Sequence, residues 1–96
     1  MPSYVFLLTW TDQGIRDVKQ SPERGDSFRQ AVEAEGGRIV ALLHTMGIYD
    51  IVLMVELPSD EVANRLALRT GRQGYVRSTT LKGWTTTEFE ALVRTL

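Results

Sequence analysis

The sequence predicts a single α+β domain in which helices cover an antiparallel four-stranded sheet. Three observations lead to this prediction. The chain has 96 residues, which is the size of one ordinary domain. Its content of 43% hydrophobic and 24% charged residues is typical of a globular protein. Finally, apolar runs of strand length alternate with helix-period segments in the order β-α-β-β-α-β, followed by one more helix.

The first part of the chain predicts a strand and then a helix. The aromatic and β-branched run Tyr4–Trp10 is typical of a buried strand. Ser21–Pro22 favours a helix start, with Ser21 as the N-cap, and the glycine pair at 36–37 favours its end. Between them, Ile15 and Val18 are three residues apart and indicate a short helical turn under the same core.

The rest of the chain predicts a hairpin, a helix, a strand and a terminal helix. The apolar runs 38–46 and 49–57 flank Gly47–Ile48, which is typical of a hairpin with a two-residue loop. This order of elements is the split β-α-β, or ferredoxin-like, arrangement. The remaining elements are a helix opened by 58–61 that ends before Gly71 with 71–74 as its C-cap, a strand over 75–82, and a final helix opened by a capping box at 85–88 that bears Phe89, Leu92, Val93 and Leu96.

The first three strands are apolar on both faces. In the first strand, Val5 and Leu7 alternate with Tyr4, Phe6 and Leu8. In the second strand, strict alternation places Ile39, Ala41 and Leu43 together on one face. Two helices can cover only one face, so we expect a second copy to pack against the other, giving a homodimer that could assemble further. The alternative is that the C-terminal helix folds back over this face.

Composition and charge exclude several functions. The chain has no cysteine, which excludes disulfides, thiolate nucleophiles and thiolate metal sites. Its net charge of -1 and the absence of a basic-glycine-aromatic strand predict neither a nucleic-acid nor a membrane partner. Its first residues lack the pattern of a secretory signal, so we expect a cytoplasmic location. The single histidine and the scattered carboxylates predict no metal site, and we expect no cofactor.

His44 is a candidate catalytic residue. In a two-residue hairpin, His44 pairs with Ile51 and Thr45 pairs with Asp50. His44 and Tyr49 therefore lie on one face of the hairpin, and Asp50 lies on the other face. A histidine in this place could shuttle a proton or serve as the single axial ligand of a metal centre. The alternative that we favour is a hydrogen-bonded histidine at a sheet edge or a dimer seam, because the pattern gives it no catalytic partner.

Asp50 is the second candidate catalytic residue, at the entrance to an otherwise apolar strand. Burial there would favour its protonated form and make it a general acid or base. The alternative is that its carboxylate accepts backbone N–H groups in the Gly47 turn, as aspartates beside tight turns do. The two interpretations are compatible.

Two further residues are candidates for ligand binding. Trp10 begins the segment Trp10–Gly14, at a strand end where helix and sheet diverge and a pocket can form. The alternative for this segment is a turn that caps the next helix. Arg77 could hold a carboxylate or a phosphate with its guanidinium fork, or it could be a solvated residue of an edge strand.

The chain resembles the GYD-domain family. The Gly, Tyr and Asp of that signature correspond to Gly47, Tyr49 and Asp50, whereas His44 is not part of it. Similar segments elsewhere in the chain are Trp10–Gly14, Ser21–Pro22 and Val76–Thr80. The resemblance implies the fold of the dimeric α/β-barrel group, in agreement with a homodimer. It implies no particular reaction, because related barrel families include cofactor-free oxygenases, isomerases, lyases and haem enzymes.

The sequence as a whole predicts one domain, residues 1–96, that forms a homodimer and binds an unidentified small molecule between sheet and helices. The expected lining residues are Trp10, His44, Gly47, Tyr49, Asp50 and Arg77. The alternative is a small cofactor-independent enzyme of oxygenase, isomerase or lyase type. In that enzyme Asp50 or His44 moves a proton while Tyr49 or Arg77 stabilises negative charge. A third interpretation is a structural or regulatory partner module without a pocket.

Overall fold

The computed structural model describes residues 1–96 and has the predicted order of elements. Its strands are β1 (Ser3–Trp10), β2 (Arg38–His44), β3 (Ile51–Glu56) and β4 (Val76–Gly83). Its helices are α1 (Asp12–Arg16), α2 (Ser21–Ala34), α3 (Asp60–Arg72) and α4 (Thr86–Val93), and a 3-10 turn at Val18–Gln20 joins α1 to α2. The strands form one antiparallel sheet in the order β2-β3-β1-β4, which confirms an α+β, ferredoxin-like fold. None of the helices has the length and apolar character needed to cross a bilayer.

The core lies between α2, α3 and the face of the sheet that they cover. Tyr4 and Phe6 of β1 point into it and are each 2% exposed. Their partners on β3, Val55 and Leu53, are buried as well. The side chains that the helices and the β3–α3 connection contribute, all fully buried or nearly so, are Val32, Leu57, Val62, Ala63 and Leu66.

The hairpin between β2 and β3 has the expected register but a longer loop. His44 pairs with Ile51, and the Thr45 N–H donates to the Asp50 carbonyl at 2.8 Å. Both strands stop two residues short of the expected turn, so the predicted two-residue loop is wrong and residues 45–50 connect the strands. Gly47 has a φ of +115° in this loop, a conformation that glycine adopts at little cost.

A bulge in β2 changes which residues face the core. The register shifts between Ile39 and Ala41, so the extra residue Val40 reverses the alternation along the strand. The predicted common face of Ile39, Ala41 and Leu43 is therefore wrong. Instead, Ile39 and Leu42 pack against the core, and Leu43 is 64% exposed.

The turn between β1 and α2 also differs from the prediction. Ile15 and Val18 are 52% and 38% exposed and do not pack under the core. α1 turns Gly14 toward the body of the protein, which leaves Ile15 on its outer side, and Val18 lies beyond α1 in the 3-10 turn. The 3-10 turn runs directly into α2, so Gln20 occupies the N-cap position and Ser21 is already helical.

Capping residues and a glycine determine where α3 and α4 begin or end. Ser59 caps α3 by accepting the Val62 N–H, and Thr85 and Glu88 form the predicted capping box of α4. The predicted C-cap at 71–74 is confirmed, with Gln73 as the C-cap residue, although the helix runs through Gly71 to Arg72 rather than ending before this glycine. The chain leaves the helix at Gly74, where φ is +90°.

The second face of the sheet has no cover. Met54 of β3 is 43% exposed, and Leu81 of β4 is 47% exposed. We call this surface, formed by residues of all four strands that point away from α2 and α3, the open face. The alternative that the C-terminal helix folds back over it is wrong, because Phe89 of α4 is itself 58% exposed and α4 does not pack on the sheet.

Candidate functional site

α2 and α3 diverge at one end of the sheet and leave a cleft of about 460 Å³. This volume is in the range of small-molecule sites, which is roughly 300–1,000 Å³. The first half of α2 and the second half of α3 form its walls, and the ends of all four strands form its floor. Its apolar lining consists of Leu8, Trp10, Leu42, Ile51, Leu53 and Val76 on the floor and Phe28, Ala31 and Leu66 on the walls.

The segment Trp10–Gly14 builds one end of this cleft. The Thr11 hydroxyl donates to the Gly74 carbonyl at 2.6 Å and accepts the Gly14 N–H at 3.0 Å, so it caps α1 and ties α1 to the α3–β4 loop. The Thr11 N–H donates to the Tyr75 carbonyl at 3.1 Å. This is the capped turn that the sequence offered as an alternative, and it positions the aromatic rings of Trp10 and Tyr75 at the cleft.

Gly14 is required where α1 meets the α3–β4 loop. A Cβ atom at this position would lie 1.9 Å from the Tyr75 carbonyl oxygen and 3.2 Å from the Trp10 ring. Only a residue without a side chain permits that approach. Gly14 therefore acts on the cleft indirectly, by letting two of its aromatic lining residues come together.

Asp50 forms hydrogen bonds with the β1 backbone next to the cleft. Its Oδ2 atom accepts the Trp10 N–H at 2.8 Å, and its own N–H donates to the Leu8 carbonyl at 2.9 Å. The next residue, Ile51, lines the cleft, whereas Asp50 does not. The carboxylate accepts a backbone N–H as one interpretation expected, although from β1 rather than from its own turn.

The structure brings two of the six expected lining residues together. Trp10 and His44 both line the cleft, and His44 makes no side-chain hydrogen bond there. Gly47 and Tyr49 lie in the β2–β3 loop outside it, where the Tyr49 carbonyl accepts the Thr45 hydroxyl at 2.7 Å. Asp50 lies in the same loop and does not line the cleft either. Arg77 pairs with Thr9 and follows the cleft residue Val76, so it points to the open face.

The cationic lining of the cleft was not predicted from the sequence. Arg24 and Arg29 of α2 and Arg69 of α3 all border it. The Arg24 guanidinium carbon lies 4.1 Å from the centroid of the Tyr75 ring, a cation–π contact. One signal was present, since Arg69 is three residues after Leu66 and falls on the same face of α3.

A second polar cluster lies at the opposite end of the covered face. The Tyr4 hydroxyl donates to the Asp60 carboxylate, and Lys82 Nζ lies 2.9 Å from the same oxygen. Burial, together with the hydrogen bond to Asp60, raises the pKa of Tyr4 to about 12. The hydrogen bond from Tyr4 and the interaction with Lys82 lower the pKa of Asp60. This cluster joins the start of α3 to β1 and β4, and no metal-ligand group of three side chains is found here or elsewhere.

Comparison with known proteins agrees with this architecture. The family model described as "GYD domain" matches residues 4–93, nearly the whole chain. A protein of Thermus thermophilus named "Glutamine synthetase and cystathionine beta-lyase binding protein" is 34% identical over 83 residues, which cover 85% of this chain and 87% of that protein. The resemblance seen in the sequence is thereby confirmed. The chain belongs to the GYD-domain family.

Proposed function

We propose that the protein is a homodimeric binding protein that holds a small molecule in the cleft between α2 and α3. The cleft itself carries this proposal. It combines an apolar floor with polar and charged groups at the rim, which is the usual composition of small-molecule sites. The similarity to a protein named for binding supports a binding role.

The open face supports the dimer. Apolar side chains such as Met54 and Leu81 remain exposed there, and monomeric proteins rarely leave large apolar patches in water. Two such sheets can pack face to face about 10 Å apart. The cleft lies on the other side of the sheet, so both clefts of a dimer would remain accessible.

Native mass spectrometry of the freshly purified protein tests small-molecule binding. We expect a mass increment on each chain, which is the ligand carried through purification. The variant Thr70→Trp places an indole in the cleft wall and should lose the increment. Its control, Leu68→Trp, lies on the same helix at a site that is 65% exposed and outside the cleft, and should keep it. An increment that survives Thr70→Trp would contradict the proposed location.

A second candidate function is binding to a metabolic enzyme. The name of the Thermus relative supports it, and so does the β2–β3 loop, where Met46 and Ile48 are 97% and 84% exposed. Calorimetric titration with glutamine synthetase and with cystathionine beta-lyase tests this candidate. Binding that Met46→Ser and Ile48→Ser weaken, while Leu68→Ser does not, would support it, and no heat with either enzyme would exclude these two partners.

The third candidate is a cofactor-independent enzyme. His44 supports it because this histidine lines the cleft without a hydrogen-bond partner. Asp50 would have to act from its place at the Trp10 N–H. If Asp50 is a general base, Asp50→Asn should abolish turnover while the protein remains folded. If the carboxylate only holds the end of β1, the same substitution should lower the melting temperature and leave ligand binding intact.

A further inference from the structure

From the groups around the cleft, we propose that its ligand has a planar apolar body and one carboxylate group, which Arg29 and Arg69 hold at the rim. The inference rests on the proposed small-molecule function and names the ligand class.

The lining of the cleft is more positive than the protein as a whole. The chain carries a net charge of -1. The cleft is bordered by three arginines and a single carboxylate, Asp26, and therefore has a surplus of two positive charges. This surplus is concentrated beside apolar walls, where field lines are focused and an anion is attracted more strongly than on an open surface.

Two of the three arginines are available to a ligand. Arg24 already has partners within the protein. Both of its terminal nitrogens donate to the Asp17 carbonyl oxygen at 3.3 Å, and its guanidinium stacks on Tyr75. Arg29 and Arg69 are exposed and take part in none of the ion pairs or side-chain hydrogen bonds of the chain. An unpaired guanidinium offers two parallel N–H donors, which match the two oxygens of a carboxylate.

The interior of the cleft selects the body of the ligand. Trp10, Phe28 and Tyr75 contribute aromatic rings, and the remaining floor is aliphatic apart from His44. Such walls favour a flat ring system, because aromatic groups pack in offset-stacked or edge-to-face contacts. No carboxylate lies on the floor, since Asp26 is exposed on α2. A ligand of this class would bury its ring and leave its charge at the rim.

Titration calorimetry with 2-naphthoate and 2-naphthamide tests the inference. The two probes share a ring system and differ in charge, and any copurified ligand is first removed by partial unfolding and refolding. We expect the naphthoate to bind about tenfold more tightly than the amide, the factor that one charge-assisted hydrogen-bonded pair supplies. Equal affinity of the two probes, or no binding of the naphthoate, would overturn the inference.

Matched arginine variants locate the carboxylate. Arg69→Gln and Arg29→Gln should each weaken naphthoate binding about threefold, because together they supply the tenfold preference, and should leave naphthamide binding unchanged. Arg72→Gln is the control, because Arg72 is also exposed on α3 and lies outside the cleft. An equal loss with the control variant would mean that the effect is a general one of net charge, and would overturn the assignment to the rim.

The outcomes separate this inference from the proposed function. If the native protein carries a ligand that Thr70→Trp removes, yet the probes do not discriminate by charge, the cleft is a binding site and only the ligand class is wrong. If the native protein carries nothing and neither probe binds, both proposals fail.

Discussion

The two faces of the sheet are made of neighbouring residues on the same strands but have different surroundings. On β3, Leu53 faces the helices and is 2% exposed, whereas Met54 faces away and is 43% exposed. Both side chains are apolar, so hydrophobicity alone does not determine which face the chain buries. The difference comes from α2 and α3, which both pack on the Leu53 side.

This difference suggests separate roles for the two faces. On the covered face the helices diverge, and the apolar floor between them is accessible to a small molecule. On the open face no element of the chain covers the strands, so a second copy can bury a broad apolar surface. We infer that the covered face binds a ligand and that the open face binds another protomer.

The largest expected loss of stability comes from a substitution on the covered face. Leu53→Ala should lower the free energy of unfolding by about 2–5 kcal/mol, because it leaves a cavity in the core. Urea denaturation followed by circular dichroism measures this loss, which should not depend on protein concentration. Met54→Ala should cost less at low concentration and progressively more as concentration rises, since its lost contacts are between protomers. Equal, concentration-independent costs for the two variants would contradict the distinction between the faces.

A smaller effect is expected where the covered face opens into the cleft. Gly14→Ala forces a methyl group against the Tyr75 carbonyl and should destabilise the protein by about 1–3 kcal/mol, the usual cost of overpacking. Thermal unfolding measures it. Gly25→Ala is the control, since a Cβ atom there meets nothing within 4 Å and alanine favours the helix by up to about 1 kcal/mol. A neutral Gly14→Ala variant would mean that this close approach is not needed.

The smallest effect concerns the far end of the covered face and depends on pH. The pKa of Asp60 in the folded protein lies below its ordinary value of 3.8, chiefly because Tyr4 donates a hydrogen bond to it. The stability that Asp60 contributes is therefore present above pH 3.8 and is lost as the pH falls through the lower, folded-state pKa. Asp60→Asn should lower the unfolding midpoint at neutral pH and have little effect near about pH 2. A difference that persists unchanged in acid would exclude the ionised carboxylate as its cause.

The sequence predicted the elements well because their signals are local. Strand-length apolar runs, the capping box at Thr85 and Glu88, and the family signature around Gly47 are all read within a few residues. The bulge at Val40 has no such signal, since the neighbouring residues are equally apolar on both sides of it. The faces of β2 therefore could not be assigned from alternation alone.

The site was harder to predict because its partners are far apart in the chain. Asp50 meets the Trp10 N–H across 40 residues, and Tyr4 meets Asp60 across 56. The cleft exists because α2 and α3 diverge, and no local pattern encodes that spacing. Trp10 and His44 could be predicted as lining residues because each ends a strand, where helix and sheet separate. The arginines on the helix walls needed the tertiary structure.

The mass of the protein in solution, measured by sedimentation equilibrium, tests most directly whether the open face binds a second copy. We expect an assembly of two chains of 10.8 kDa each for the native protein and a folded single chain for Met54→Lys. Leu68→Lys, which places the same charge on an exposed part of α3, should remain a dimer. A native protein that stays a single chain at high concentration, or a Met54→Lys variant that still dimerises, would contradict the assignment of the open face to a second copy.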